Sequence, residues 1–330
     1  MTGTWDLLAH AWAVRLLQGQ IASGRLRHAY LFTGPAGVGR RTLALRLAQA
    51  LNCTNPPAAG DFCGACRACR GFAAMQHPDL LLLELQEGDR EIKVDAVREL
   101  TRSLSRTPLE AHFQVALLLN FEQASEEAAN ALLKTLEEPG PSVLLCLTAA
   151  DTDSLPETIV SRCEVIRLRP APIGQLAEEL AGNLNLARDS AELLASLSGG
   201  LPGLALRLYG QPEVLEQRAE WLQACQRLLT AQRTERFAFA EQASKDREGL
   251  RSLLLVWLSF WRDVLLRSAR SSMRPANPDW EDQLNALADR LTPQVVRLSV
   301  NAIERTLEQL AANVNARLAM EVLLLELPDL

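Results

Sequence analysis

Four cysteines, Cys53, Cys63, Cys66 and Cys69, stand with nine, two and two residues between them. The two-residue gaps let thiolates converge on one ion, and the Pro- and Gly-containing insertion after Cys53 lets that residue fold back. Four sulfurs close a tetrahedral shell, so a metal held there is structural, with no open position for catalysis. An iron–sulfur cluster and a redox pair use similar spacing; zinc is the preferred reading. Cys146 and Cys225 sit in apolar runs and are predicted core thiols. His10, His28, His77 and His112 share no ligand spacing with one another or with the cysteines.

The second constellation is Gly34-Pro35-Ala36-Gly37-Val38-Gly39-Arg40-Arg41-Thr42. It follows a predicted strand and opens a predicted helix, the setting a phosphate-binding loop requires. Backbone N–H groups and the helix dipole behind them favour an anion. A working loop places Lys after the last Gly to reach the outer phosphates, and then a Ser or Thr whose hydroxyl ligates magnesium. Arg40 and Arg41 occupy those positions. Arginine replaces lysine as a charge, but its planar fork is a poor copy of a point charge. In a chain with 31 Arg and 3 Lys, the Arg at 40 also fits a compositional drift. Arg41 repels the metal it replaces a ligand for. Thr42 is one residue late and on a helix is turned by about 100°.

A second requirement fails independently. The predicted strand Gln114 to Leu119 should end in acids that hold magnesium and polarise water, and it ends in Leu119-Asn120. Glu122 lies past the strand end and is expected to be a solvated loop charge. The loop is therefore predicted to keep its shape and to lack hydrolysis, which leaves open whether ATP or ADP binds without turnover.

These residues need a scaffold, and the pattern around them is alternating. Helices are predicted at Trp12 to Ile21, Arg41 to Leu51, Val94 to Ser105 and Ser125 to Glu138. Strands are predicted at Tyr30 to Thr33, Leu80 to Leu85, Gln114 to Leu119, Val143 to Thr148 and Glu164 to Leu168. Such alternation argues for an α/β domain, a parallel sheet wrapped by helices, over residues 1–170, with the cysteine module (53–69) inserted in it. Pro170 and Pro172 end the pattern. A small helical unit is predicted over 171–212, with helices at Ile173 to Ala181, Ser190 to Leu197 and Pro202 to Tyr209. Long helices near 213–231, 247–269 and 293–327 predict a bundle or oligomerisation element over 213–330.

At 48% apolar and 22% charged residues, without repeats or low-complexity tracts, the 330-residue chain is expected to be soluble, globular and multi-domain. No apolar run reaches membrane-span length and the start does not read as a secretory signal, so a cytoplasmic protein with reduced thiols is expected. The net charge of −6 is uneven: residues 1–70 carry 8 Arg against 2 acids, +6, which leaves −12 on the rest. Anionic partners, if any, belong to the front, although a merely less acidic front is an equal reading. Arg67 and Arg70 in the cysteine module could touch phosphates, and ordinary surface charges are the commoner outcome.

With these segments in hand, the sequence resembles the bacterial clamp-loader AAA+ subunits of DNA polymerase III, and among them the delta-prime family. The matching stretches are His28-Ala29-Tyr30-Leu31-Phe32-Thr33-Gly34-Pro35, Ile92-Lys93-Val94-Asp95, Ala129 to Pro139 (which includes Asn130-Ala131-Leu132-Leu133-Lys134), and Ser161-Arg162-Cys163, with Asn313 to Glu321 near the end. The resemblance implies an AAA+ domain, a lid and a collar at the boundaries above. It implies a zinc module within the first domain. It also implies that Arg162 acts as an arginine finger in trans at a neighbouring subunit's ATP site. Implied partners are the delta and gamma/tau subunits of a hetero-pentameric loader, the sliding clamp and primer–template DNA, within a DNA-directed DNA polymerase holoenzyme. Hydrolysing relatives carry a phosphate-sensing arginine in the lid, where this chain has Gly203. A non-hydrolysing scaffold is thus the leading expectation. An active gamma/tau-type ATPase and a stand-alone zinc-containing nucleic-acid-binding protein are the alternatives.

Overall fold

The computed structural model describes residues 5–86 and 88–330. After α1 (Ala11–Ala22), the chain runs through β1 (Ala29–Thr33), α2 (Arg40–Asn52), the short α3 (Arg67–Ala73), β2 (Leu80–Leu83), α4 (Val94–Leu104), β3 (Gln114–Leu118), α5 (Glu126–Glu137), β4 (Val143–Ala149), α6 (Glu157–Val160) and β5 (Glu164–Arg167). The five strands form one parallel sheet in the order β2-β3-β4-β1-β5. Strand β1 lies between β4 and β5, with Phe32 opposite both Thr148 and Ile166.

Every residue of β1, β3 and β4 is buried, because helices cover both faces of the sheet. Side chains alternate between the two covers. Tyr30, Phe32, Val115, Leu117 and Cys146 pack with Leu17, Leu43, Leu47 and Phe72, from α1, α2 and α3. Leu31, Ala116, Leu118 and Leu145 pack with Val97, Leu100, Leu132 and Leu136, from α4 and α5. The α/β fold with a helical C-terminal part is the fold class expected from the sequence.

From Ile173 onward the described residues are helical: α7 (Ile173–Leu184), α8 (Arg188–Leu197), α9 (Pro202–Gly210), α10 (Pro212–Leu229), α11 (Arg233–Ala243), α12 (Arg247–Ser268), α13 (Glu281–Arg290), α14 (Pro293–Ala311) and α15 (Ala316–Glu326). The chain forms two compact units, one running to Leu180 and taking in Leu201–Leu204, the other made of Ala181–Gly200 and Ala205–Leu330. The second unit is built on Trp257, Phe260 and Trp261, all fully buried. Beside that core Arg218 is forked onto Asp279 at 2.7 and 3.0 Å and reaches Asn277, whose amide donates to Asp263.

One helix boundary differs from the sequence reading. The helix expected over 293–327 is broken in two, because Asn313 takes a left-handed conformation (φ 59°) and Asn315 accepts the N–H of Leu318 to begin α15. Asparagine tolerates both the left-handed turn and the N-cap position, so two of them close together stop and restart a helix without Gly or Pro. The helices α11 and α13 were not anticipated either.

Candidate functional site

Helix α2 connects two candidate sites. At its C-terminal end Cys53 is the capping residue, and Cys63, Cys66 and Cys69 come back to it. The four Sγ atoms lie within 4.8 Å of one another, and Cys63 and Cys69 are 4.0 Å apart. Thiolates bound to zinc at about 2.3 Å sit about 3.8 Å apart at tetrahedral corners, so the cluster fits such an ion after small adjustments. Backbone N–H groups already aim at the sulfurs: Cys63 donates to Cys53 at 3.2 Å, Cys66 to Cys63 at 3.3 Å and Cys69 to Cys66 at 3.4 Å. Burial works against ionising Cys66, but N–H donors from Cys69 and Thr54 outweigh it and bring the thiol down to about 6. Backbone donors at Ala65 and Cys66 likewise lower Cys63, whereas burial raises Cys53 and Cys69. The donor set can hold a metal such as zinc.

The module is tied to the sheet through His77, whose ring stacks on Phe72 of α3 with centroids 4.3 Å apart. His77 Nδ1 accepts the N–H of Asp79, and the Asp79 carboxylate accepts the N–H groups of Leu109, Glu110 and Ala111 at 2.7 to 2.8 Å. Burial alone would raise Asp79; the three donors more than offset it and hold the carboxyl below its usual range. Arg67 pairs with Glu110 at 2.8 Å. His10 is buried and donates to the carbonyl of Val38, and His28 donates to that of Leu136. The histidines are structural in this sense, and burial lowers the pKa of both His10 and His77. Cys146 and Cys225 are fully buried, as anticipated, and burial raises both thiols.

At the other end of α2 is the glycine loop. Gly34, Gly37 and Gly39 all have positive φ. At Gly34 a Cβ would stand 2.3 Å from the carbonyl oxygen of Leu168, so only glycine fits where the loop leaves β1. The glycine-rich turn between a strand and a helix, expected from the sequence, is present. Arg40 does not point out as a free cation: its Nη2 donates to Asn120 Oδ1 at 3.1 Å, across at the end of β3. Its Nη1 is buried without a partner, and burial lowers its pKa while Glu122 acts in the opposite sense. Arg41 is exposed, with Nη2 2.6 Å from Met75 Sδ, and Thr42 is exposed too.

Glu122 departs from its expected role as a solvated loop charge. It is half-buried; Oε1 accepts the N–H of Ala150 at 3.2 Å, and Oε2 is buried without a partner. The short 3₁₀ turn Phe121–Gln123 after the left-handed Asn120 folds it back over the strand ends. Its position two residues after Asn120 was the available signal, but only the turn geometry decides its direction.

Gly203 lies against the loop itself. Its N–H donates to the Gly37 carbonyl at 2.8 Å, and a Cβ there would stand 2.8 Å from the same oxygen. Leu201 and Leu204 also approach Gly37. An arginine at 203 could not occupy this backbone position without moving the loop. Arg162, finally, is engaged within its own chain: Nε and Nη2 both reach Glu137 Oε1, at 2.9 and 2.5 Å, and Nη1 donates to the Thr158 carbonyl. The pair is on the surface, with the Arg162 side chain 34% exposed.

A family model described as "DNA polymerase III, delta subunit" matches residues 9–172, and one described as "DNA polymerase III, delta subunit, C terminal" matches residues 212–329. The DNA polymerase III subunit delta′ of Pseudomonas aeruginosa is 40% identical over 242 residues, covering 73% of this chain and 72% of that protein. The chain belongs to the DNA polymerase III delta′ family. The delta′ subunit of Bacillus subtilis is similar over nearly the whole length, 29% identical across 96% of this chain and 95% of its own. The tau subunit of Escherichia coli is 35% identical over 54% of this chain but only 27% of its own length. Likeness to tau is therefore confined to part of each protein, whereas likeness to delta′ extends into the C-terminal helices.

Proposed function

We propose that this delta′-family chain is a non-hydrolysing subunit of the DNA polymerase III clamp loader. It scaffolds the ring and lends Arg162 to the ATP site of a neighbouring subunit while a sliding clamp is placed on primed DNA. The observation that carries this reading is the placement of Arg40. Hydrolysis needs a cation aimed at phosphates and acids aimed at magnesium. Here the cation directly after the loop glycines, Arg40, is bonded to Asn120 beside Glu122, and Arg41 stands where a metal-binding hydroxyl is needed.

In this reading residues 1–170 are an AAA+ domain, 171–212 its lid and 213–330 a collar that joins the delta and gamma/tau subunits of a pentamer in the cytoplasm. The four cysteines hold a structural zinc ion. No helix among the described residues is long and apolar enough to cross a membrane, which agrees with such a role. Arg162 works in trans by exchanging Glu137 for the phosphates next door; a surface ion pair is worth only about 0–1 kcal/mol, so the exchange is cheap.

Arg162→Ala in a reconstituted loader tests the role. Turnover at the site that it serves is expected to fall by roughly 10³- to 10⁵-fold, and unchanged turnover would remove the finger. The isolated chain is expected to hydrolyse no ATP. Measurable turnover by it would favour an active gamma/tau-type ATPase instead.

A further inference from the structure

Helix α1 presents an aromatic and basic surface that neither the metal module nor the loop uses. Trp12 is 45% and Leu16 40% exposed, large fractions for such side chains in a chain whose other described N-terminal apolar residues are mostly covered. Residues three and four apart on a helix are neighbours, so Arg15 lies beside Trp12 on the same surface. Arg15 and Leu16 also line an open groove of about 720 Å³, together with Gln20, Arg25, Arg27 and Glu164. Arg15 and Arg25 are exposed and form no ion pair with any described residue.

The groove has a fixed floor. The backbone N–H of Arg27 donates to the Tyr30 hydroxyl at 3.1 Å, Tyr30 donates to Gln20 Oε1 at 2.5 Å, and Gln20 Nε2 donates to Glu164 Oε1 at 2.6 Å. Glu164 is the single acid in the lining; Gln20 and Arg27 both engage it, the latter at 3.5 Å. The lining is thus net basic, and its arginines belong to residues 1–70, which carry +6 while the remainder carries −12.

We infer that this groove binds single-stranded nucleic acid, with Arg15, Arg25 and Arg27 along the phosphates and a base stacked on Trp12. A basic groove next to an exposed aromatic ring is the combination that binds unpaired strands without sequence preference. Duplex DNA satisfies the arginines but offers the indole no free base face. An acidic protein segment also satisfies the arginines, without requiring the aromatic ring.

Fluorescence anisotropy of a labelled 20-mer oligothymidine with the full chain tests this between 50 and 200 mM NaCl. Binding should weaken as salt rises. The double variant Arg15→Glu/Arg25→Glu should lose at least tenfold in affinity, with a shallower salt slope by about 0.7 for each phosphate contact removed. Trp12→Ala should lose roughly fivefold or more while Trp12→Phe retains most of the binding, as stacking demands. All three positions are exposed, and unchanged thermal unfolding verifies that the variants fold. Absence of binding at 50 mM salt, indifference to these variants, or equal competition by a duplex of the same length or by polyglutamate would each overturn the inference. Because the assay uses the chain alone, its result is independent of the Arg162 experiment, and either proposal can fail without the other.

Discussion

Helix α2 carries the glycine loop before Arg40 and the cysteine cluster after Asn52, and the two ends contrast. At the cysteine end every ligand that the chemistry needs is present and converges. At the glycine end the loop glycines keep their positive φ, while Arg40 is turned onto Asn120 and Arg41 and Thr42 are exposed. A four-sulfur site needs only ligand type and proximity, which short spacings enforce. A nucleotide site needs groups from several separate strands and loops, so its side chains depend on packing across the sheet rather than on local spacing.

The largest expected effect lies at the cysteine end. Cys66→Ser, or removal of metal by a chelator, should abolish stoichiometric metal and lower the thermal midpoint by an amount worth several kcal/mol, since structural zinc contributes roughly 10–16 kcal/mol in small isolated modules. A chain that purifies without metal and is as stable as its Cys66→Ser variant would break the comparison.

At the loop the effects should be smaller and steric. Gly203→Ala places a Cβ against the Gly37 carbonyl, and overpacking of this kind costs about 1–3 kcal/mol. Denaturant unfolding should register it; an unaffected midpoint would mean that the segment does not rest on the loop.

Asp79→Asn examines how the cysteine module is anchored. Near neutral pH it should cost about 1–3 kcal/mol, because one amide oxygen cannot satisfy three N–H donors that a carboxylate holds. The folded carboxyl is held below its unfolded value, so its contribution is fully present above about pH 4 and is lost as pH falls through the folded pKa. The difference between wild type and variant should therefore shrink in acid. A gap that stays constant down to low pH would contradict the charge-assisted anchor.

The smallest effect is expected for Arg41→Thr, which restores a hydroxyl at an exposed position. Stability should change by less than about 0.5 kcal/mol, and no ATPase activity should appear, because Leu119 and Asn120 still close β3 without a carboxylate. Activity gained from that single change would show that the loop had lost one group rather than its chemistry.

Local pattern made much of this legible. The alternating α/β order, the three loop glycines and the 53–69 cysteine spacing depend on neighbours in sequence, where helix and strand periods and turn geometry act directly. The residue types at 40, 41, 119 and 120 were legible for the same reason: the presence or absence of a side-chain group is visible in one dimension. The break at Asn313 was less so, because an asparagine inside an apolar helical pattern is ordinary until its backbone conformation is seen.

The residue types alone determined that a tetrahedral sulfur site could form and that arginines stand at 40 and 41 and no acid at 119 or 120. Tertiary structure decided where the remaining charges went. Arg40 turned to Asn120, Glu122 folded in beside it, Gly203 docked on Gly37 and Arg162 paired with Glu137, each through partners 25 to 166 positions away in the chain. Side-chain chemistry is a property of the residue, but the direction of a flexible charged side chain follows from burial and from distant partners, which only the folded chain brings together.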